Sequence, residues 1–233
     1  MKWINNIKIS KKLLLSYVFM CGILILLLLF YLLPMFNKTL DRVIESRTKS
    51  VVETAYSIIN SYYIEFKDGK LSEESAKKQA VEMLRNIRYM EKEYFWVNDY
   101  DAKMIMHPIS TKLEGQNLID YQDPDGVRLF SEMVKIVKNN GEGFVHYRWE
   151  RDKGKTPVPK ISYVKGFKEW NMIVGSGVYI DDIAIVKNRI YAGVALVVVM
   201  IVLFVSLMIV LFKKTIVEPI EKVSEYAKKD RKF

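Results

Sequence analysis

The chain has 233 residues, half of them hydrophobic and 12% aromatic, with 36 Lys and Arg against 27 Asp and Glu for a net charge of +9. That apolar content excludes a disordered chain, which buries too little surface to order itself. The lone Cys21 excludes a disulfide framework or a cysteine-rich zinc site, and two histidines, His107 and His146, exclude a multi-histidine metal centre.

In chain order, Leu13 to Leu33 is a run of 21 residues without a charge, and Ile190 to Phe212 is a second run of 23. A membrane-spanning helix needs about 20 apolar residues to cross roughly 30 Å of hydrocarbon, so both runs qualify. A cleaved signal peptide fits the first run poorly, because the apolar core is too long and only Leu32-Leu33-Pro34 follows it. A lipoprotein signal at Cys21 fails on the bulky Phe19 and Met20 before it. Lys2, Lys8, Lys11 and Lys12 precede the first run. Lys213, Lys214, Lys222, Lys228, Lys229, Arg231 and Lys232 follow the second. Residues 34–189 are nearly balanced, with 25 basic and 23 acidic side chains. The positive ends are expected in the cytoplasm of a bacterial inner membrane, with the middle outside it. Charge beside the spans reads as topology and lipid attraction rather than a nucleic-acid surface, so no nucleic-acid partner is expected.

The 156 residues between the runs suffice for one domain. From Leu40 the apolar positions Ile44, Val51, Ala55, Ile58 and Tyr62 follow at steps of 4, 7, 4, 3 and 4, one face of a long helix. That stripe serves either a symmetry mate in a homodimer or the domain's own sheet. A turn at 67–70 leads to a helix capped by Ser72 and reaching about Tyr89. Strands are predicted at 94–97 and 103–107 as a hairpin around 98–101, then at 144–149, 161–164 and 172–179. A short helix is predicted over 125–139, and Asp181 is expected to open the helix of the second span. Short connections favour antiparallel pairing, giving an α+β domain with a five-stranded sheet.

The strings YFWVND, MIMHP, LEGQNLIDYQDPDG, GEGFVHYRW, PKISYVKGF and WNMIVGSGVYIDDI, spanning residues 94–182 in this order, resemble the type 2 single Cache domain of bacterial transmembrane chemoreceptors and sensor kinases. The resemblance implies a PAS-like extracytoplasmic sheet over about residues 34–189, often binding short carboxylates such as acetate, propionate, pyruvate or lactate. The tail KKTIVEPIEKVSEYAKK resembles the first helix of a HAMP linker, with Pro219 in its first turn and Ile220, Val223 and Ala227 in one stripe; a plain juxtamembrane amphipathic helix is the alternative. The expected organisation is a cytoplasmic start (1–12), a span (13–33), the sensor domain (34–189), a second span (190–212) and the start of a truncated HAMP-like linker (213–233).

A carboxylate pocket needs a few donors in apolar surroundings. Lys160 is the candidate cation through the PK-SY match, against the alternative of a solvated lysine. His107, before Pro108, either donates to a carboxylate or caps a strand end. Tyr147 and Trp149 share one strand face, as do Tyr94 and Trp96, and these aromatics can serve as core and ligand contacts together. No P-loop, Gly-x-Ser-x-Gly or Cys/His pair is present, so no catalytic activity, cofactor or metal is expected. The expected function is the input half of a methyl-accepting chemoreceptor. The alternatives are the sensor region of a histidine kinase or cyclase, or a structural protein using the domain as an adhesion surface.

Overall fold

The computed structural model describes residues 9–90, 92–151 and 154–230. Lys2, Lys8, Arg231 and Lys232 of the charged flanks lie outside the described residues, as does the side chain of Ala227 in the tail stripe. The chain divides into two compact units, one of residues 1–39 with 186–233 and one of residues 40–185.

In the first unit, helix α1 (Ile9–Leu27) passes through a π turn (Leu28–Leu32) into the start of helix α2 (Leu33–Lys67). The long helix α5 (Ile180–Phe212) passes through a second π turn (Lys213–Val217) into α6 (Glu218–Asp230). Both apolar stretches are long enough to cross a membrane. Both stretches are mostly unburied, unlike the core helix of a soluble domain. Side chains such as Phe30 and Leu203 turn outward, 76% and 64% exposed, as lipid-facing residues would. Asn37 donates to the Tyr191 hydroxyl at 2.9 Å within this unit.

The second unit holds a five-stranded antiparallel sheet built from β1 (Trp96–Asp99), β2 (Met104–Met106), β3 (Glu142–Trp149), β4 (Val158–Phe167) and β5 (Met172–Tyr179). Their spatial order is β2-β1-β5-β4-β3. The last strand thus sits in the middle, between β1 and β4, which puts its residues opposite those of both neighbours. One face packs against α2 and α3 (Glu73–Asn86) through Val52, Ala55, Ile59, Ala80, Leu84, Phe95 just before β1 and the strand residues Val97, Tyr163 and Val174. The other packs against α4 (Leu129–Asn140) and the 107–128 loop through Phe130, Met133, Val137, Trp96, Tyr147, Val164 and Tyr179. Alternation along β4 separates the two: Lys160, Ser162 and Val164 point to the second face, Tyr163 and Lys165 to the first.

Several boundaries differ from the sequence reading, each for a local reason. Ser72 caps α3 as expected, its hydroxyl accepting from the Ser75 N–H at 3.2 Å. That helix ends at Asn86 rather than near Tyr89, because the Asn86 amide and the Arg88 guanidinium donate to the carbonyls of Glu82, Arg85 and Ile87. Helix α4 begins at Leu129 and not at Asp125. The Asp123 carboxylate captures the N–H groups of Asp125 and Val127 in a turn, and Gly126 takes a left-handed φ of 82° there. The first strand extends through Asn98 and Asp99, which the sequence places in the turn, since both pair with β5. Tyr94 instead precedes the strand, its carbonyl held by the Ser176 hydroxyl. Of the predicted stripe on α2, Ala55 is buried in the domain's own core and Val51, Ile58 and Tyr62 are half-buried against it; the adjacent Val52 and Ile59 are buried too, leaving Ser50, Thr54, Ser57 and Ser61 outward.

Candidate ligand site

Lys160 is 1% exposed, an ammonium taken almost wholly out of water. Its register partners across β3 and β5 are Tyr147 and Tyr179, so three side chains stand in a row on the pocket face of the central strands. The ammonium lies 4.4 Å from the ring centre of Tyr94, 4.5 Å from Tyr179 and 5.8 Å from Trp96. Ring quadrupoles of this kind offset part of the cost of burying the charge. The ammonium's hydrogen bond among the described residues, to the Tyr94 hydroxyl, is long at 3.3 Å. Three N–H donors with so little acceptance leave capacity for an anion. Burial lowers the Lys160 pKa from 10.5 to about 8, so the side chain remains a cation at neutral pH.

The other sequence candidates join this lysine in one connected cluster. His107 lies against Tyr94 at a ring separation of 5.0 Å and against Trp149 at 5.7 Å. Trp149 meets Tyr147 edge-on at 6.2 Å, and the buried Tyr147 hydroxyl shares a 2.9 Å hydrogen bond with Ser162. Trp96 lies over Gly175, where any Cβ would overlap the indole. Past Trp149 and Tyr121 opens a cavity of about 200 Å³, bordered also by Ile109, Ser110, Leu113 and Pro157. Trp149 lines this cavity and touches His107 and Tyr147 of the cluster around the lysine.

His107 is 3% exposed, and its Nδ1 accepts from the N–H groups of Ser110 at 2.9 Å and Ile109 at 3.3 Å. The neutral ring therefore carries its proton on Nε2, a donor suited to a carboxylate. Glu114 holds the same segment from below: its Oε1 accepts from the His107 N–H at 2.9 Å and from Arg85 at 2.6 Å, while Oε2 takes a second Arg85 N–H at 3.1 Å. That fork keeps the Glu114 carboxyl below its usual range.

Burial, with the Lys160 charge adding to it, lowers the His107 pKa from 6.5 to about 3. The unfolded chain therefore binds a proton near pH 6.5 that the folded domain refuses until about 3, so stability falls as pH drops through this window. The expected loss is about 2 kcal/mol by pH 5. Glu93, raised by burial, acts with the opposite sign in part of this range. Thermal melts of the parent and His107→Asn, which keeps an acceptor but does not titrate, isolate the histidine. Parallel pH profiles for the two would refute its neutral burial.

Four residues of this region escape the sequence reading. Tyr179 lies between two cations, Lys160 on one side and Arg151 at 4.5 Å. Arg151 in turn pairs with Asp181 at 2.7 Å and Asp182 at 2.9 Å, in the first turn of α5. Ser162 follows Lys160 by one strand period. Glu93, 7% exposed, stands one residue before Tyr94 in a stretch that reads as a solvated charge run. Tyr179 was findable by pairing strands; the others need the three-dimensional register.

The arrangement is a buried cation in an aromatic cage on the loop side of a PAS-like sheet, flanked by two apolar helices. The Cache domain family (dCache_2) matches residues 29–198, and the chain belongs to that family. It is 36% identical over 222 residues to the methyl-accepting chemotaxis protein McpP of Pseudomonas putida, covering 95% of this chain and 41% of that receptor. A solved Cache chemosensory domain, described for its carboxylic acid recognition, is 43% identical with a TM-score of 0.59, covering 61% of this chain and 97% of that one. A solved periplasmic sensor domain of a chemotaxis protein is 41% identical with a TM-score of 0.57, covering 58% of this chain and 94% of that one. The chain thus carries a chemoreceptor-type sensor domain, and it spans less than half the length of the curated receptor.

Proposed function

We propose that this chain is the input half of a transmembrane chemoreceptor, binding a two- or three-carbon carboxylate outside the cytoplasm and passing a conformational bias inward. The observation that carries the reading is the buried Lys160 ammonium, caged by Tyr94, Trp96 and Tyr179 and meeting one long hydrogen bond among the described residues. His107, Tyr147 and Trp149 complete the enclosure, with acetate, propionate, pyruvate and lactate as the candidate class. The carboxylic acid recognition described for the 43% identical domain supports the same class. Charge-assisted hydrogen bonds are the strong ones, and an aromatic enclosure excludes competing water. The reading involves neither catalysis nor a cofactor.

In this proposal residues 34–189 face the periplasm between spans at 13–33 and 190–212, both termini lie in the cytoplasm, and 213–233 opens a HAMP linker. Signalling requires that ligand favour one arrangement of sheet and helices over another, since equal affinity shifts nothing. The kinase or cyclase alternative shares everything up to Phe212, and the coding sequence beyond Phe233 separates them. The test is calorimetry on the full chain in lipid nanodiscs with acetate, propionate, pyruvate, lactate, amino acids and urea. Carboxylate binding is the expected result; binding of only an amino acid or a neutral amide would overturn the class.

A homodimer belongs to the same proposal. With Val52, Ala55 and Ile59 committed inward, its contact along α2 has to use the outward face. Single cysteines at 46, 50, 54, 57 and 61 in a Cys21→Ser background are expected to cross-link at helical period. A flat pattern would remove α2 from the interface.

A further inference from the structure

Two polar groups at the site lack the partners that burial demands. Lys160, wholly buried, meets the single long hydrogen bond already described. The Glu93 Oε2 is buried with no hydrogen-bond partner among the described residues. An orphaned carboxylate oxygen away from water is costly, and structures keep such groups mainly where something else completes them. Glu93 is fixed in place: its backbone exchanges both hydrogen bonds with Tyr89, at 2.9 and 3.1 Å. The Tyr89 hydroxyl bonds Ser176, which donates to the carbonyl of Tyr94 beside Glu93.

The charged groups around Glu93 come from three elements: Lys160 on β4, Arg151 after β3, and Asp181 with Asp182 opening α5. The tyrosines Tyr89, Tyr94 and Tyr147 also feel its charge. Burial favours the protonated acid, with Lys160 and Arg151 pulling the other way.

Building on the carboxylate reading above, we infer that Glu93 is a second ligand contact, binding in its protonated form and donating from its carboxyl to the carboxylate whose other oxygen Lys160 holds. The chemistry follows from charge counting. One ammonium compensates one carboxylate, so when the ligand enters, Glu93 must be neutral or face an uncompensated like charge. The proton comes from solvent, resides on the Glu93 carboxyl, and is shared in a hydrogen bond to the ligand; no bond of the ligand breaks. Affinity is then proton-linked. It is flat with pH while free Glu93 is protonated and falls by about tenfold per unit once free Glu93 ionises. Lys160, near 8, weakens binding only above that pH, with the same sign.

The experiment is acetate and propionate calorimetry on the full chain in nanodiscs from about pH 5.5 to about pH 8.5, for the parent and Glu93→Gln. Glutamine keeps a donor of the same shape and has no ionisation. The parent is expected to lose affinity toward the high-pH end, and the variant to match it within a few fold at low pH. Above the pH at which free Glu93 ionises, the variant should bind more tightly than the parent, by about tenfold for each further unit. Superimposable profiles would overturn the proton linkage of Glu93 while leaving the carboxylate reading intact. No heat with any carboxylate would overturn the underlying reading and this one with it. Should Glu93→Gln fail to fold, Glu93→Ala, which removes the donor, decides instead: at about pH 5.5 it is expected to bind acetate about tenfold more weakly than the parent, and unchanged affinity would overturn the inference.

Discussion

Lys160→Met is expected to bind short carboxylates at least about thirtyfold more weakly than the parent, while folding into a domain that melts higher at neutral pH. Removing one partner of a buried charge pair leaves the other unpaired, at a cost of about 2–5 kcal/mol, which sets the thirtyfold floor. The gain in stability follows from the same burial. Lys160 gives up hydration for three aromatic rings and a 3.3 Å hydrogen bond, and an unbranched apolar side chain of similar length fills that space without the penalty. The pH dependence has a definite sign. Because the folded pKa is about 8 against 10.5 for the free side chain, the unfolded chain holds more protons between those values. The parent should therefore gain stability as pH rises through that window, and Lys160→Met should lose the gain. Calorimetric titration and thermal melts on the same preparations read both effects. Unchanged affinity in a folded Lys160→Met would take the lysine out of the site.

Gly177→Ala is the second large effect expected. On β5 this residue pairs with Ser162 of β4, and a Cβ there would overlap the Ser162 Oγ and the main chain of Ile161 and Ser162. Main chain in a central strand cannot swing aside as a side-chain tip can. Overpacking of this kind typically costs about 1–3 kcal/mol, a drop in melting temperature on the order of 5–10 °C for a domain of this size. Carboxylate affinity should fall as well, because Ser162 anchors the Tyr147 hydroxyl and lies one strand period from Lys160. A melting temperature within a degree or so of the parent would show that the strands part more easily than this packing implies.

The sequence exposed those features whose signal is periodic. Alternation in β3 paired Tyr147 with Trp149, and uncharged length marked both long apolar helices. Ser72 announced its helix by the ordinary chemistry of a cap. All six residues chosen as ligand contacts fall in one cluster of ring and cation contacts. What stayed hidden depends on partners far away in the chain. Asp123 delays the start of α4 through amides two and four residues on, yet its second oxygen also accepts from Arg148 at 2.7 Å, a contact that local reading cannot anticipate. Glu93 sits among Glu91, Lys92 and other charges that suggest solvent, whereas in the fold it is buried, paired with Tyr89 and near Lys160 of a distant strand. The stripe on α2 was ambiguous for a physical reason: an apolar helix face has the same period whether it covers its own sheet or a neighbour.

The junction of β5 and α5 contains no spare residue: Tyr179 ends the strand and Ile180 begins the helix. Tyr179 touches Lys160 with its ring, and the next two acids hold Arg151, which lies over the same ring. A helix advances about 1.5 Å and turns about 100° per residue, so one inserted or deleted residue here would re-index the first residues of α5, Ile180 to Ile185, against the sheet. Length variation in this lineage should therefore accumulate in segments such as 108–128, where a loop absorbs it. Between residues 172 and 185 the spacing is a matter of phase, and related sequences that fold and work alike should share its length to the residue.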